Sequence, residues 1–373
     1  MKVLVIFTYG YSLKTWHETG TLERELSIYK ELTKKDIQFT FLTYGNIDEH
    51  TLLKNQNNMS VIPIYETKSK SKFKIFNLIH SFLIPFYIKR NKMNFDLIKH
   101  NQLLGSWVGI ILKFLLRKPL FIRTGYDMYL FSLYENKKIL IKTLYKILTQ
   151  ISIWVTDLYS VSSFSDLKFL KKTFNGTEKI TVRPNWIINS QYKNFNSRES
   201  NRILAVGRLE NQKNFKYLIN SFTNSDFVID IVGNGSQKDI LLDYAKRKNV
   251  EVNIIEKIEN IELNNLYTKY KYFISSSKYE GNPKTVLEAM SNGCVVFASN
   301  IPNHKELIKN GVNGFLFELN SNNLNKIFNS NINDMEKLSK ISKSAFQFVE
   351  KNNSLEKMTF EEYKDYDLLI NRT

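Results

Sequence analysis

The sequence predicts an α/β chain of two doubly wound parallel-sheet domains. Three observations lead there. Short apolar runs alternate with stretches of helical period from the first residues up to Val182, as strand–helix–strand units do. The alternation pauses at the polar stretch Asn189–Asn201 and then restarts. With 373 residues and 43% hydrophobic content, the chain can bury two cores and is not disordered.

In order, strands are expected at Val3–Thr8, Gln38–Thr43, Asp96–Lys99, Pro119–Arg123, Leu158–Ser162 and Lys179–Val182. The stretch Met1–Phe7 is too short for a signal-peptide core and reads as the first buried strand. Helices are expected at Thr19–Leu32, Lys72–Lys89, Leu104–Leu116, Lys137–Ile153 and Asp166–Thr173. The second series places strands at Ile203–Val206, Val228–Val232, Val250–Ile255, Tyr272–Ser275, Val295–Ala298 and Gly314–Phe317, with helices between them. Ser354–Ile370 forms a last helix. The expected divisions are a first domain over 1–188, a linker over 189–201, a second domain over 202–353 and a C-terminal helix within 354–373.

Composition narrows the partners. The single cysteine, Cys294, can form no internal disulfide, and Val295 and Val296 beside it suit a reduced, buried thiol. No run reaches the roughly 20 apolar residues of a spanning helix, so a cytoplasmic chain is expected. The net charge of +17 is uneven: residues 51–150 hold 17 Lys/Arg against 4 Asp/Glu. Within that block, Lys68–Lys92 alternates basic clusters with an aromatic and aliphatic stretch. One reading is an ordinary core helix. Another is a face resting on anionic lipid, where basic and apolar side chains both contribute. No recognised nucleic-acid motif accompanies the charge, so a nucleic-acid partner is not expected.

The densest chemistry lies between Tyr272 and Phe315. The apolar Tyr272–Ile274 ends in Ser275-Ser-Ser277, as a parallel strand does at its carboxyl edge, where open α/β sheets bind ligands. Gly281 turns the chain, Asn282 can cap a helix, and Pro283 suits its first position. Backbone N–H groups at that terminus favour an anion. Glu288 lies about six residues inside the helix, roughly 9 Å along its axis, while Glu280 precedes it. One carboxylate would hold hydroxyls at one end of a long polar ligand and the other those at its far end. The alternative is a solvated loop glutamate and a second on an exposed helix face.

The wording Tyr279-Glu-Gly-Asn-Pro-Lys-Thr-Val-Leu-Glu288-Ala-Met, followed by Asn310-Gly-Val-Asn-Gly-Phe315, resembles the signature of retaining glycosyltransferases of family 4, within glycosyl transferases group 1. Upstream, Val206-Gly207-Arg208-Leu-Glu-Asn-Gln-Lys213 follows the second domain's first strand. Arginine clamps phosphate oxygens bidentately, and lysine supplies a compact charge that follows a leaving group. The family has a matching glycine-arginine-x4-lysine element whose cations hold the donor diphosphate. Gly233-Asn-Gly235 resembles the family's glycine-x-glycine turn, with a purely steric role as the other reading. Lys257-Ile258 sits where the family's nucleobase packs.

In the first domain, the stretch from Tyr9 and Gly10 to Trp16-His17-Glu18-Thr-Gly20 follows strand one, where the family places a glycine-rich loop. This chain has only Gly10 and Gly20 there. His17 and Glu18 either meet acceptor hydroxyls or start the next helix. Asp127, in Arg123-Thr-Gly-Tyr-Asp127, lies near the position where relatives carry a histidine or aspartate beside the transferred sugar. A helix cap is its alternative role.

The resemblance implies the GT-B architecture: two Rossmann-like domains facing a cleft, with the C-terminal helix crossing back to the first. It implies a retaining, metal-independent hexosyltransferase. The sugar would pass from a nucleotide-sugar donor, UDP-linked by default, to a glycan acceptor, lipid-linked, in bacterial surface-polysaccharide synthesis at the inner face of the cytoplasmic membrane. Catalytic roles then fall on Arg208, Lys213, Glu280 and Asp127. Donor contacts fall on Gly10, Gly207, Arg208, Lys213, Gly233, Ile258, Glu280, Gly281, Asn282, Pro283, Lys284, Thr285 and Glu288, with Glu280 on the sugar and Glu288 on the ribose. Trp16, His17 and Glu18 would meet the acceptor. No cofactor or metal is expected. The rivals are a nucleotide-sugar epimerase, which needs no second substrate, a phosphorylase, whose pyridoxal-bearing lysine is not found, and a catalytically silent GT-B-like scaffold or nucleic-acid-binding protein.

Overall fold

The computed structural model describes residues 1–66, 69–188, 191–193, 195–256, 258–320 and 322–371. The chain divides into two compact units, residues 1–184 with 358–373, and residues 185–357. The boundaries expected at 188 and 353 therefore fall at 184 and 357, and the expected linker already contains the start of a strand at Glu199.

The first unit runs β1 (Lys2–Ile6), α1 (Leu13–Glu18), α2 (Leu22–Thr33), β2 (Gln38–Thr43), α3 (Glu49–Leu52), β3 (Met59–Pro63) and α4 (Lys74–Arg90). It continues with β4 (Leu97–Asn101), α5 (Ser106–Leu116), β5 (Leu120–Thr124), α6 (Met128–Tyr134), α7 (Ile139–Val155), β6 (Leu158–Val161), α8 (Phe164–Thr173) and β7 (Ile180–Val182). Among the described residues these strands form a seven-stranded parallel sheet in the order β3-β2-β1-β4-β5-β6-β7. The sequence reading missed β3. It is an edge strand ending in Pro63, the position where a sheet tolerates proline. Right-handed crossovers put α2 and α3 on one face and α4, α5, α7 and α8 on the other, because the strand order runs in opposite directions from β1. Leu4, Ile6, Ile98, Leu112, Ile122 and Tyr159 are fully buried beneath them.

The core-helix reading of Lys68–Lys92 does not hold. Lys68 lies outside the described residues. Of the rest, α4 buries Asn77, Ser81, Ile84, Pro85 and Ile88 but leaves Ile75, Phe76, Ile79, Leu83 and Phe86 at least half exposed.

The second unit runs β8 (Glu199–Val206), α9 (Phe215–Ser221), β9 (Val228–Val232), α10 (Lys238–Lys248), β10 (Val252–Ile255), α11 (Asn260–Tyr267), β11 (Tyr270–Ser275) and α12 (Lys284–Ser291). It ends with β12 (Val295–Ser299), α13 (Pro302–Leu307), β13 (Phe315–Phe317), α14 (Asn323–Asn329), α15 (Met335–Asn353) and the start of α16 (Leu355–Asn371). Its parallel strands are ordered β10-β9-β8-β11-β12-β13. β9, β11 and β12 are buried along their whole length, as strands covered on both faces are. Cys294 is a buried free thiol, pushed up to about 12 by burial.

From Met358 onward, α16 belongs to the first unit, as expected of a returning helix. There Glu362 accepts hydrogen bonds from Lys99 and Tyr366, and Arg183 grips Asp365 through two bonds of 2.7 Å. Lys99 is 1% exposed, with its Nζ 4.7 Å from the centre of the Tyr29 ring. Burial alone would raise the Glu362 carboxyl, but the charges of Lys99 and Arg123 and two hydrogen bonds hold it below the usual range.

Candidate functional site

Strand order in the second sheet reverses between β8 and β11, and ligands in such sheets sit beyond the carboxyl ends at the reversal. The two loops leaving that point are laced together. Lys278 N–H donates to the Gln212 carbonyl (2.9 Å), Gln212 Nε2 to the Tyr279 carbonyl (2.9 Å), and Ser276 Oγ to the Lys213 carbonyl (2.8 Å). Lacing brings Lys213 Nζ to 2.5 Å from Glu280 Oε1, which also accepts from Ser277 Oγ at 2.6 Å. Burial pushes the Glu280 carboxyl up, but the Lys213 charge and these hydrogen bonds outweigh it and keep the group ionised. Arg208 stands exposed at the rim and donates to Gln212 Oε1 at 3.2 Å.

The glycines near these loops have a steric reason. A Cβ on Gly233, at φ +152°, would lie 2.0 Å from the Gly207 carbonyl oxygen, and one on Gly235 would lie 2.6 Å from that of Leu209. The turn after β9 thus packs backbone to backbone against the loop after β8. That accounts for both positions of Gly233-Asn-Gly235 and leaves Gly207 beneath the Lys213 stem.

At the entry to α12 the structure corrects two expectations. Pro283 precedes the helix instead of opening it, and Lys284 is the first helical residue. Asn282 does not cap the helix, because its side-chain oxygen accepts from Asn185 N–H at 2.9 Å while Asn185 Nδ2 donates to the Asn282 carbonyl at 2.7 Å. The helical ladder begins with Val286 and Leu287, both donating to the Pro283 carbonyl at 3.2 Å. Gly281 is buried in the bend and Thr285 half-buried. Lys284 Nζ lies 4.7 Å from the centre of the Trp186 ring.

Glu288 is 3% exposed and accepts from Asn260 Nδ2 (3.2 Å) and Tyr267 Oη (3.3 Å). Neither glutamate is therefore on a solvated loop or an open helix face. Ile258 packs on the core cluster that includes Val232 and Val286. Lys257 lies outside the described residues. Sequence reasoning missed His304, which is fully buried with Nε2 3.3 Å from Ser275 Oγ and Nδ1 2.8 Å from the Ser299 carbonyl. Burial pushes its ring down to about 4, so it is neutral at pH 7. No sequence spacing marks it.

In the first unit, Gly10 occupies a turn at φ +81°, with nothing within 4 Å of a Cβ built there. Trp16, His17 and Glu18 do not start the next helix. They close a short helix of their own, α1, with the Trp16 ring 4.3 Å from that of Phe7. Asp127 is the N-cap of α6, accepting from Leu130 N–H at 2.6 Å. Its Oδ2 is buried without a hydrogen-bond partner among the described residues, and burial pushes the carboxyl up to about 6.

Arg208, Lys213 and Glu280 thus converge, with Gly207 and Gly233 shaping their loops. Glu288 stands further along α12 in its own polar setting, while Gly10, α1 and Asp127 belong to the first unit.

Residues 188–348 match the model of the family described as glycosyl transferases group 1. The UDP-Gal:alpha-D-GlcNAc-diphosphoundecaprenol alpha-1,3-galactosyltransferase of Escherichia coli is 34% identical over 31% of this chain and 32% of its own length. The capsular polysaccharide biosynthesis glycosyltransferase CapH of Staphylococcus aureus is 27% identical over 42% of this chain and 46% of its own. The matches therefore span about a third to a half of those relatives. Anabaena Alr3699/HepE in complex with UDP superposes with a TM-score of 0.77 at 17% identity, covering 99% of this chain and all of that one, a likeness of fold. The two parallel-sheet units have the GT-B fold, and over residues 188–348, less than half of the chain, the sequence is similar to glycosyl transferases group 1.

Proposed function

We propose that the chain is a retaining, metal-independent hexosyltransferase of family 4. It passes a sugar from a UDP-linked donor to a lipid-linked glycan acceptor in bacterial surface-polysaccharide synthesis, peripherally at the cytoplasmic face of the membrane. The observation that carries this is the Lys213–Glu280 pair on the switch-point loops ahead of α12. The relatives' names support it, one with a UDP-sugar and a diphosphoundecaprenol-linked acceptor and one with capsular polysaccharide, as does the UDP bound by the structural neighbour.

Breaking the C1–O bond leaves charge on the diphosphate while oxocarbenium character develops at the sugar. Arg208, Lys213 and the positive end of α12 at Asn282–Lys284, with Thr285, would meet the diphosphate without a metal. Donor binding divides the ion pair: Lys213 turns to phosphate, and sugar hydroxyls take its place on Glu280. Because Glu280 is held ionised, it serves as an acceptor of hydroxyl hydrogens and not as a proton donor. Glu288 would hold the ribose, sharing it with Asn260 and Tyr267. Gly10, Gly207, Gly233, Ile258, Gly281 and Pro283 would shape the rest of the donor site. Asp127 would present its unpartnered oxygen to the transferred sugar, and Trp16, His17 and Glu18 would meet the acceptor. The departing phosphate oxygen accepts the acceptor's proton, so no protein nucleophile is invoked.

The test is nucleotide release from a panel of nucleotide sugars, with and without a polyprenyl-diphosphate-linked sugar, and the anomeric configuration of the product. Acceptor-dependent release with retention is expected. Isomerised donor in the absence of acceptor would support the epimerase, and no turnover of any donor would support the silent scaffold.

A further inference from the structure

We propose that α7, together with α4 and the end of α5, is a docking face of the first unit for an anionic lipid bilayer. Both α4 and α7 are partly inverted: polar groups sit inward beside Ile84, Pro85, Ile88 and Ile153, and most of their large hydrophobic side chains point outward. In α4, Asn77 bonds the backbone of Ser71, and Ser81 accepts from Trp107 Nε1 at 2.9 Å. In α7 the buried residues are Thr149, Ser152 and Ile153, and Ser152 Oγ lies 3.0 Å from Ser106 Oγ. The two helices therefore seat their polar sides on consecutive residues of α5, Ser106 and Trp107. Outward, α7 presents Ile139, at 82% exposure, with Leu140, Leu144, Ile147 and Trp154, and α5 adds Phe114. Water-facing helices show the reverse pattern, and contiguous apolar patches of this kind mark an interaction surface.

Charge chooses the partner. Neither α4 nor α7 contains an acidic residue. Lys72, Lys74, Lys89 and Arg90, all exposed, bracket α4. A second copy of this chain would bring the same positive face against it, whereas anionic headgroups complement it, with the apolar side chains entering the interface. Right-handed crossovers place α4, α5 and α7 on the same side of the sheet, so their outward sides can meet one plane. No helix among the described residues is long and apolar enough to cross a membrane, so the geometry is that of helices lying on it. The sequence pattern pointed to residues 68–92. The structure adds α7 to that stretch; the inference rests on the peripheral-membrane part of the proposed function, and its failure would leave sugar transfer untouched.

The experiment uses the full chain with phosphatidylglycerol/phosphatidylcholine vesicles, pure phosphatidylcholine vesicles as control, and quenching of Trp154 by brominated acyl chains. The wild type should sediment with the anionic vesicles alone and be quenched, and Trp154→Phe should sediment normally but lose most of the quenching. Lys72→Ala, Lys74→Ala and Lys89→Ala combined should weaken partition roughly 100-fold. Leu144→Glu with Ile147→Glu, both at exposed positions and with α4 untouched, should abolish quenching while the thermal melt stays normal. Wild-type partition in both the lysine variant and the Leu144→Glu/Ile147→Glu variant would overturn the proposal. So would equal binding to the two vesicle types, or a stable dimer that shields Trp154 from an aqueous quencher without lipid.

Discussion

Each unit holds a buried lysine–glutamate pair, and the two are used differently. In the first, Lys99 and Glu362 are 1% and 5% exposed, closed over by Tyr366 and the Tyr29 ring. In the second, Lys213 and Glu280 are 14% and 8% exposed, on loops at the reversal of the strand order. The first pair is almost fully closed from solvent, which suits a pair that holds structure. The second is more open to solvent, which suits the exchange of partners proposed for donor binding. Accessibility, more than pairing energy, separates the two roles.

The largest effect should come from the closed pair. Glu362→Ala leaves Lys99 charged and unpaired and should destabilise the chain by about 3–5 kcal/mol in chemical denaturation, while Lys99→Met with Glu362→Leu should recover much of the loss. Lys213→Ala should act on rate instead, removing about 2.7–4 kcal/mol of transition-state stabilisation. It should cost less stability than Glu362→Ala, because Glu280 keeps its hydrogen bond from Ser277. Arg208→Ala should resemble it, and the two should be non-additive because both serve one charge. Near-normal turnover in Lys213→Ala would erase the distinction between the pairs.

Acid should separate the units next. The folded pKa of His304 is depressed to about 4, so unfolded chains bind its proton first and stability falls from pH 6.5 toward 4, by roughly 3 kcal/mol. Glu280, also depressed, adds its loss as pH falls through its folded value. In the first unit, His100 is lowered to about 4 as well, but Asp127 is raised to about 6. That group gains stability as pH drops below 6 and offsets the histidine. His304→Gln should therefore flatten the acid slope of the denaturation midpoint, and Asp127→Asn should steepen it. An Asp127→Asn slope equal to wild type would refute the offset.

Smaller effects divide the two glutamates of the site. On the proposed placement of the sugar at Glu280 and the ribose at Glu288, Glu280→Gln should fall mainly on kcat, whereas Glu288→Gln should raise KM and weaken competition by free nucleoside diphosphate, by about 1.5–3 kcal/mol each. The opposite split would exchange sugar and ribose along α12. The smallest expected effect is that of EDTA, which should leave turnover unchanged; loss restored by magnesium would remove the metal-free reading.

Much of this was legible in the sequence because buried parallel strands are near-continuous apolar runs, and because the loops bearing Lys213 and Glu280 follow such runs directly. Contacts between distant residues were not legible. Asn282 looks like a cap, but its amide is taken by Asn185, 97 residues away. Strand β3 escaped because an edge strand needs fewer hydrophobic residues and can end in proline. The inverted helices teach most. Periodicity is silent on which side of α4 and α7 the sheet receives, and here Asn77, Ser81 and Ser152 went inward beside Ile84, Ile88 and Ile153.

The closed pair also sets an order of events during synthesis. Glu362 is added 263 residues after Lys99, which at roughly 5–20 residues per second is a wait of roughly 13–50 s. Throughout it the nascent first sheet carries a lysine whose counter-charge does not yet exist. The second unit, continuous from 185 to 357, is made whole inside that interval. Vectorial synthesis would then complete the second unit before the first, whose sheet waits for α16.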